Sequence, residues 1–227
     1  MNLQSAIVLL SGGLDSSIAL ALTLREQAIK LALHISYGQR AARSEALHAA
    51  AVAEFLGVPF RVLELPWFES FDSGLLGTAE IPSPSRTDLD DLKTSQETAK
   101  AVWVPNRNGI FIEIAAGFAE QYGADNVIVG FNREEAATFS DNSVAYLEAL
   151  NQALRYSTAN GVRVVSPTAE MDKVAIVQTA LRINFPLELL WSCYFSTEKM
   201  CGACESCMRL KRALEVNNSS RDELFAN

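Results

Sequence analysis

Ala6-Ile7-Val8-Leu9-Leu10 runs directly into Ser11-Gly12-Gly13-Leu14-Asp15-Ser16-Ser17. The apolar run has the length and composition of a strand covered on both faces. The polar stretch after it reads as a glycine turn that opens a helix at Asp15 or Ser16. Glycines let the backbone come close to an anion, and the first N–H groups and the dipole of a helix then hold it. Ser11, Ser16 and Ser17 add hydroxyl groups around the same oxygens. Leu10, Ser11, Gly12, Gly13, Leu14, Asp15, Ser16 and Ser17 together make the candidate nucleotide-binding stretch. Asp15 belongs beside a phosphate if Mg²⁺ bridges the two, or if it caps the helix. The loop lacks the Lys of G-x-x-x-x-G-K-[ST], so it is not built for γ-phosphoryl transfer. The plainer alternative is a tight strand-to-helix turn capped by Asp15 or Ser16.

The string resembles the pyrophosphate loop (SGGxDS) of ATP pyrophosphatases, which cleave ATP between its α and β phosphates. That resemblance implies adenylation of a carbonyl oxygen, with the departing pyrophosphate held on the loop.

Cys193, Cys201, Cys204 and Cys207 are all the cysteines in the chain, spaced C-x7-C-x2-C-x2-C. Four thiolates meet the tetrahedral demand of Zn²⁺, and two-residue gaps let successive sulfurs turn onto one ion. Such a site is structural, since no position is left open for water. A Cys₄ iron–sulfur cluster is an alternative, although ferredoxin spacings differ. Disulfides are another. The chain starts Met-Asn-Leu-Gln with no basic stretch, and its first apolar run ends in the loop. No signal peptide is therefore expected, which implies a cytoplasmic location, where structural disulfides do not persist.

The chain has 227 residues, 49% of them hydrophobic, enough for one large domain or a main domain with a small appendage. The division expected is a nucleotide-binding α/β domain over 1–185 and a metal-binding region over 186–227. No apolar run approaches the ~20 residues that span a bilayer. Against 27 Asp and Glu stand 19 Lys and Arg, a net charge of −8. Gripping a nucleic acid needs a basic face, and only Arg40 with Arg43, and Arg209 with Lys211 and Arg212, are locally basic. A small-molecule substrate is expected, with neither nucleic acid nor membrane as partner.

Strands are expected over 6–10, 30–36, 58–65, 126–130 and 162–165, and helices over 15–26, 43–56, 109–122, 142–158, 171–181 and 204–216. This alternation predicts a doubly wound, mostly parallel α/β sheet with ligands at the carboxyl ends of its strands. Between 66 and 103 the pattern fails, in a stretch with glycines, prolines and the acidic run 88–91. That segment is expected to be a lid, a disordered insertion or a solvated surface loop.

Four polar clusters fall at strand ends or helix starts: Tyr37, Gln39 and Arg40; Arg107 and Asn108; Asn132, Arg133, Glu134 and Glu135; and Asp141 with Asn142. Each can be a capped turn, with Asn108 and Asp141 as N-caps, or part of a purine-like site. His34 reads as a core residue and His48 as a helix-surface residue; neither is expected to be catalytic.

Ser11-Gly-Gly-Leu-Asp-Ser16, Tyr37-Gly-Gln-Arg40, Val104-Pro-Asn-Arg-Asn108 and Trp191-Ser-Cys-Tyr…Cys201-Gly-Ala-Cys-Glu-Ser-Cys207 together resemble the 7-cyano-7-deazaguanine synthase family, over almost the whole chain in the family's order. Asn106 stands where the family commonly has Gly, and Ser143 where it has Arg. The resemblance implies an adenine nucleotide alpha hydrolase-like fold with a C-terminal zinc-binding appendage and a homodimer. It also implies conversion of 7-carboxy-7-deazaguanine, ammonia and ATP to the nitrile. Asp15, Ser16, Arg40 and Arg107 are then the candidate catalytic residues. Tyr37, Gln39, Arg40, Arg107, Asn108, Asn132, Glu134 and Asp141 are the candidate substrate contacts, and Cys193, Cys201, Cys204 and Cys207 the zinc ligands. The rival readings are another ligase or thiolase with the same loop, and a non-catalytic nucleotide- and metal-binding module.

Overall fold

β1 (Ser5–Leu9) sits at the middle of a sheet whose strand order decides where everything else goes. The computed structural model describes residues 3–77, 81, 83, 85, 89 and 91–226. Among these, β1, β2 (Ala28–Ser36), β3 (Phe60–Glu64), β4 (Asn126–Ile128) and β5 (Arg163–Val165) form one sheet in the order β3-β2-β1-β4-β5. Every neighbouring pair is parallel; Ile7 lies between Leu31 and Val127. The order reverses between β1 and β4, so the chain after β1 emerges at the crevice where open α/β sheets bind ligands.

The pleat explains the two layers. Ala6, Val8 and Leu10 face one side, with α1 (Leu14–Thr23), α2 (Ala42–Phe55), α7 (Lys173–Arg182) and α8 (Glu205–Val216). Ile7, Leu31 and Leu33 face the other, with α4 (Arg107–Tyr122) and α6 (Val144–Ser157). Alternation along a parallel strand with apolar residues on both faces demands cover on both sides. Cys193, Cys204 and Cys207 belong to the first of these buried clusters, so the C-terminal segment shares the core of the sheet domain. α5 (Arg133–Ala136) is a single turn after β4.

Several local expectations change. The 66–103 segment is neither bare loop nor solvated throughout. Pro66–Ser70 is a 3₁₀ turn and Leu92–Val102 a helix, α3, which sequence periodicity misses because 93–98 is polar throughout. Phe68, Leu75, Ile81, Val102 and Val104 pack with Tyr37 as a third small core. Thr78, Ala79, Glu80, Pro82, Pro84, Arg86, Thr87, Asp88 and Asp90 lie outside the described residues. α1 stops at Thr23, three residues before 26, and the chain turns at once into β2 through a Gln27 N–H to Thr23 carbonyl bond of 2.8 Å. Asn108 does not cap α4; it lies inside the helix, after Asn106 in the left-handed region at φ +51°. α6 is capped by Ser143, whose hydroxyl accepts the Tyr146 N–H at 3.1 Å, because Asp141 and Asn142 are drawn into a preceding 3₁₀ turn.

Gly130, just past β4, lets that strand end approach α1. A Cβ there would lie 2.4 Å from the Ser16 nitrogen and 2.7 Å from the Asp15 carbonyl carbon, both backbone atoms. Gly130→Ala must therefore push the loop and its helix away from the sheet. The expected cost is about 3 kcal/mol, seen as a lower denaturant midpoint at an unchanged slope.

Candidate functional site

The chain leaves β1 through buried Leu10 and turns at Gly12 with φ +83°. A Cβ on Gly12 would sit 2.7 Å from Ala49 N and 2.8 Å from Glu45 O, so the turn rests against α2 and only glycine fits. Gly13, in extended backbone, is the N-cap residue of α1, and no side chain caps that helix. Asp15 and Ser16 thus lie in its first turn rather than capping it. The Ser11 and Ser16 hydroxyls are 2.9 Å apart, and the Ser11 N–H reaches Ser16 Oγ at 3.2 Å. Ser17 points elsewhere; its hydroxyl is fully buried and, among the described residues, has no partner.

Lys173 closes one side of this loop. It starts α7, whose N-cap Asp172 accepts the Ala175 N–H at 2.8 Å. Its ammonium bonds Asp15 Oδ2, and also Glu135 Oε1 at 2.6 Å. Burial pushes the Asp15 carboxyl up to about 6, with Glu135 and Glu134 adding to the rise against the pull of Lys173. Burial acts the same way on Glu135, but there Lys173, Asn132 and Arg209 outweigh it and hold the carboxyl below its usual range. Asp15 Oδ1 is buried without a partner among the described residues, so one carboxylate oxygen remains to hold a cation.

A second wall carries Tyr37, Arg107, Asn108 and Asp141. Arg107 Nη1 donates to the Tyr37 hydroxyl at 3.1 Å and Nε to Asn108 Oδ1 at 3.3 Å. Burial raises the Asp141 carboxyl although Arg107 pulls it down. A single cavity of about 310 Å³ joins both walls, touching Ser11, Gly13, Asp15, Ser16, Tyr37, Arg107, Asn108, Glu135, Asp141 and Lys173.

Other candidates do not line it. Gln39 accepts the Tyr37 N–H at 2.8 Å and donates to Glu45 Oε2 at 2.7 Å, bracing the wall from behind. Arg40 turns to the Gly77 carbonyl and lies 5.8 Å from the centre of the Phe195 ring. Asn132, wholly buried, caps α5 by accepting the Glu135 N–H at 2.9 Å. Glu134 faces α8, accepting from Arg209 at 2.6 Å and Arg212 at 2.8 Å. His34 does touch the cavity, with Nδ1 bound to the Leu10 carbonyl at 2.9 Å. Sequence reasoning misses Lys173; its one trace is a cation directly after the capping Asp172 at a helix start.

The four Sγ atoms of Cys193, Cys201, Cys204 and Cys207 lie within 4.8 Å of one another, and none is in a disulfide. The Cys201 and Cys207 sulfurs are 3.9 Å apart. Tetrahedral Zn–S bonds of about 2.3 Å place sulfurs about 3.8 Å apart, so the set suits one ion. A cluster with its own sulfides between the thiolates needs wider spacing. Backbone N–H groups of Ala203 and Cys204 point at the Cys201 sulfur at 3.4 and 3.3 Å, as expected around a thiolate. The same segment touches the loop, since the Trp191 N–H donates to the Gly12 carbonyl at 2.9 Å and Cys193 and Tyr194 line the cavity.

Lys173→Met strands two carboxylates. The expected loss is about 3 kcal/mol, toward the lower end for buried pairs because water reaches Glu135. It should be larger at pH 8 than at pH 5, where the stranded carboxylates take up protons; denaturant melts at both values check this. Cys207→Ser should take bound metal from about one ion per chain to none in elemental analysis and lower the thermal midpoint.

The family model for "Queuosine biosynthesis protein QueC" matches residues 5–218. The chain is 48% identical over 225 residues to the 7-cyano-7-deazaguanine synthase of Bdellovibrio bacteriovorus, covering 98% of this chain and 97% of that protein. It is 49% identical over 213 residues to the 7-cyano-7-deazaguanine synthase of Pelotomaculum thermopropionicum, covering 93% and 96%. In fold it is similar to the U34-tRNA thiolase NcsA from Methanococcus maripaludis, with a TM-score of 0.54 at 15% identity over 96% of this chain and 68% of that one. That likeness concerns architecture alone. Among the described residues no helix is long and apolar enough to cross a membrane.

Proposed function

The chain belongs to the QueC family of queuosine biosynthesis proteins, and from that premise we propose that it converts 7-carboxy-7-deazaguanine, ammonia and ATP to 7-cyano-7-deazaguanine. One observation carries the reading: a single cavity joins the glycine loop with Asp15 and Lys173 to the wall with Arg107 and Asp141. A nucleotide phosphate and a heterocyclic carboxylate can meet there without either leaving the crevice.

The chemistry runs in two activations. A substrate carboxylate oxygen attacks the α-phosphorus, the bond to the β-phosphate oxygen breaks, and pyrophosphate leaves. Ammonia adds through its lone pair, and AMP departs with the former carboxylate oxygen, leaving an amide. Adenylation of the amide oxygen, followed by loss of AMP and of the nitrogen's protons, gives the nitrile. Ser11, Gly13 and Ser16 hold the pyrophosphate with the open N-terminus of α1. Arg107 offsets the substrate carboxylate or charge building on phosphate, and Asp141 takes the guanine-like N–H edge. Arg40, turned to Gly77, has no part in this reading. Mg²⁺, held through the open oxygen of Asp15, would neutralise phosphate charge. Zn²⁺ on the four cysteines would supply rigidity.

Mass spectrometry of protein mixed with the deazapurine acid, ammonium, Mg²⁺ and ATP tests the reading. Nitrile together with AMP is the expected result. ADP in place of AMP, or an untouched deazapurine, overturns it. Asp15→Asn should cut turnover about a thousandfold and lower the thermal midpoint by less than Lys173→Met does, because the amide oxygen still accepts from Lys173 and Glu135 keeps its counter-ion. With burial pushing the Asp15 carboxyl up to about 6, the KM for Mg-ATP should rise as pH falls below that value and be flat above about pH 7.

A further inference from the structure

Two aromatic side chains of the cavity wall have no role in the two activations. Trp103 follows α3 and Phe139 follows α5, and both line the cavity shared by Arg107 and Asp141. Their ring planes are 7° from parallel, with centroids 6.5 Å apart. Where two rings of this chain rest face to face, as Trp67 and Phe68 do, the centroids are 4.2 Å apart. Trp103 and Phe139 therefore leave each other's faces largely uncovered. Trp103 remains 39% exposed although it lies in a concave wall. Phe139 packs on the small core around Phe68, and an aromatic ring that lines a cavity gains from any flat apolar surface that covers its remaining face. Two near-parallel rings this far apart by centroid each keep face area on which a planar heterocycle can stack at about 3.5 Å.

The polar groups beside the rings say what kind of heterocycle suits them. Asp141 comes two residues after Phe139, and Arg107 four residues after Trp103. A carboxylate accepts a pair of N–H groups side by side, and a guanidinium matches a carboxylate with two parallel bonds. A ring gripped there has a donor edge toward Asp141 and an anionic substituent toward Arg107.

The geometry points to Trp103 and Phe139 as an aromatic slot that stacks the deazapurine ring of the substrate and selects flat, donor-edged heterocyclic acids over other carboxylates. The assignment rests on the proposed reaction for the identity of that ring. Trp103 lies just beyond the end of a helix and is partly exposed, so replacing it leaves the main sheet core intact.

The test compares wild type with Trp103→Leu, Trp103→Phe and Phe139→Leu. Calorimetry gives the Kd of 7-carboxy-7-deazaguanine, and steady-state kinetics give the KM of ATP. Stacking on one aromatic face is worth about a 5- to 150-fold change in affinity. The leucine variants should weaken deazapurine binding within that range and leave the KM of ATP unchanged. Trp103→Phe, which keeps a ring face, should restore most of the affinity. Leucine variants that bind the deazapurine like wild type, or that raise the KM of ATP instead, overturn the slot while the reaction stands. Wild-type protein that neither binds nor converts the deazapurine overturns the reaction itself, and with it the ligand assigned to the slot. If Phe139→Leu fails to fold, the two Trp103 variants decide the matter.

Discussion

The ammonium of Lys173, lodged between Asp15 and Glu135, is the contact on which the crevice depends. It ties the first turn of α1 to the start of α7 and to α5, across 158 and 38 residues of sequence. Lys173 and Asp15 are largely withdrawn from water and Glu135 less so, and each charge repays part of the desolvation of the others. The set keeps an ionisable carboxylate beside the open end of α1, where an unpaired one would be driven to its neutral form. One oxygen of Asp15 is used in the pairing, and the other has no partner among the described residues.

From that centre, rigidity extends toward the cysteines. Glu134, next to Glu135, is held by Arg209 and Arg212 of α8, the helix that begins directly after Cys204. On the other side, the Trp191 N–H fastens the strap before Cys193 to the Gly12 carbonyl. The cysteine cluster thus holds both the glycine turn and the turn bearing Glu135, although none of its sulfurs needs to face a ligand. A metal ion held there would be a brace for the crevice, since a closed four-thiolate shell leaves no position for substrate.

The two departures from the family pattern have local explanations. Asn106 adopts φ +51°, a left-handed conformation that glycine takes freely and asparagine takes more readily than other residues. The backbone requirement is the same whichever of the two stands there. Ser143 caps α6, a task an arginine could not perform.

Much of this is legible in the residues themselves. The strand-turn-helix after Ala6, the alternation that makes a parallel sheet, and the cysteine quartet are short-range patterns, and the sequence alone determines them because period and spacing report local geometry. The same periodicity is blind where apolar residues are sparse, as in α3, and where they follow no regular period, as in the stretch 66–77 that supplies the small core around Phe68. Nor does it say which long polar side chains meet. Glu134 and Glu135 are adjacent, yet one turns to α8 and the other to Lys173; Arg40 turns to Gly77 while Arg107 reaches Tyr37. The pairing of Trp103 with Phe139 is of the same kind. Only the tertiary structure decided these, because they depend on the β3-β2-β1-β4-β5 order and on how each helix is rotated against the sheet. That rotation is set by packing summed over many residues, and no local stretch of sequence contains it.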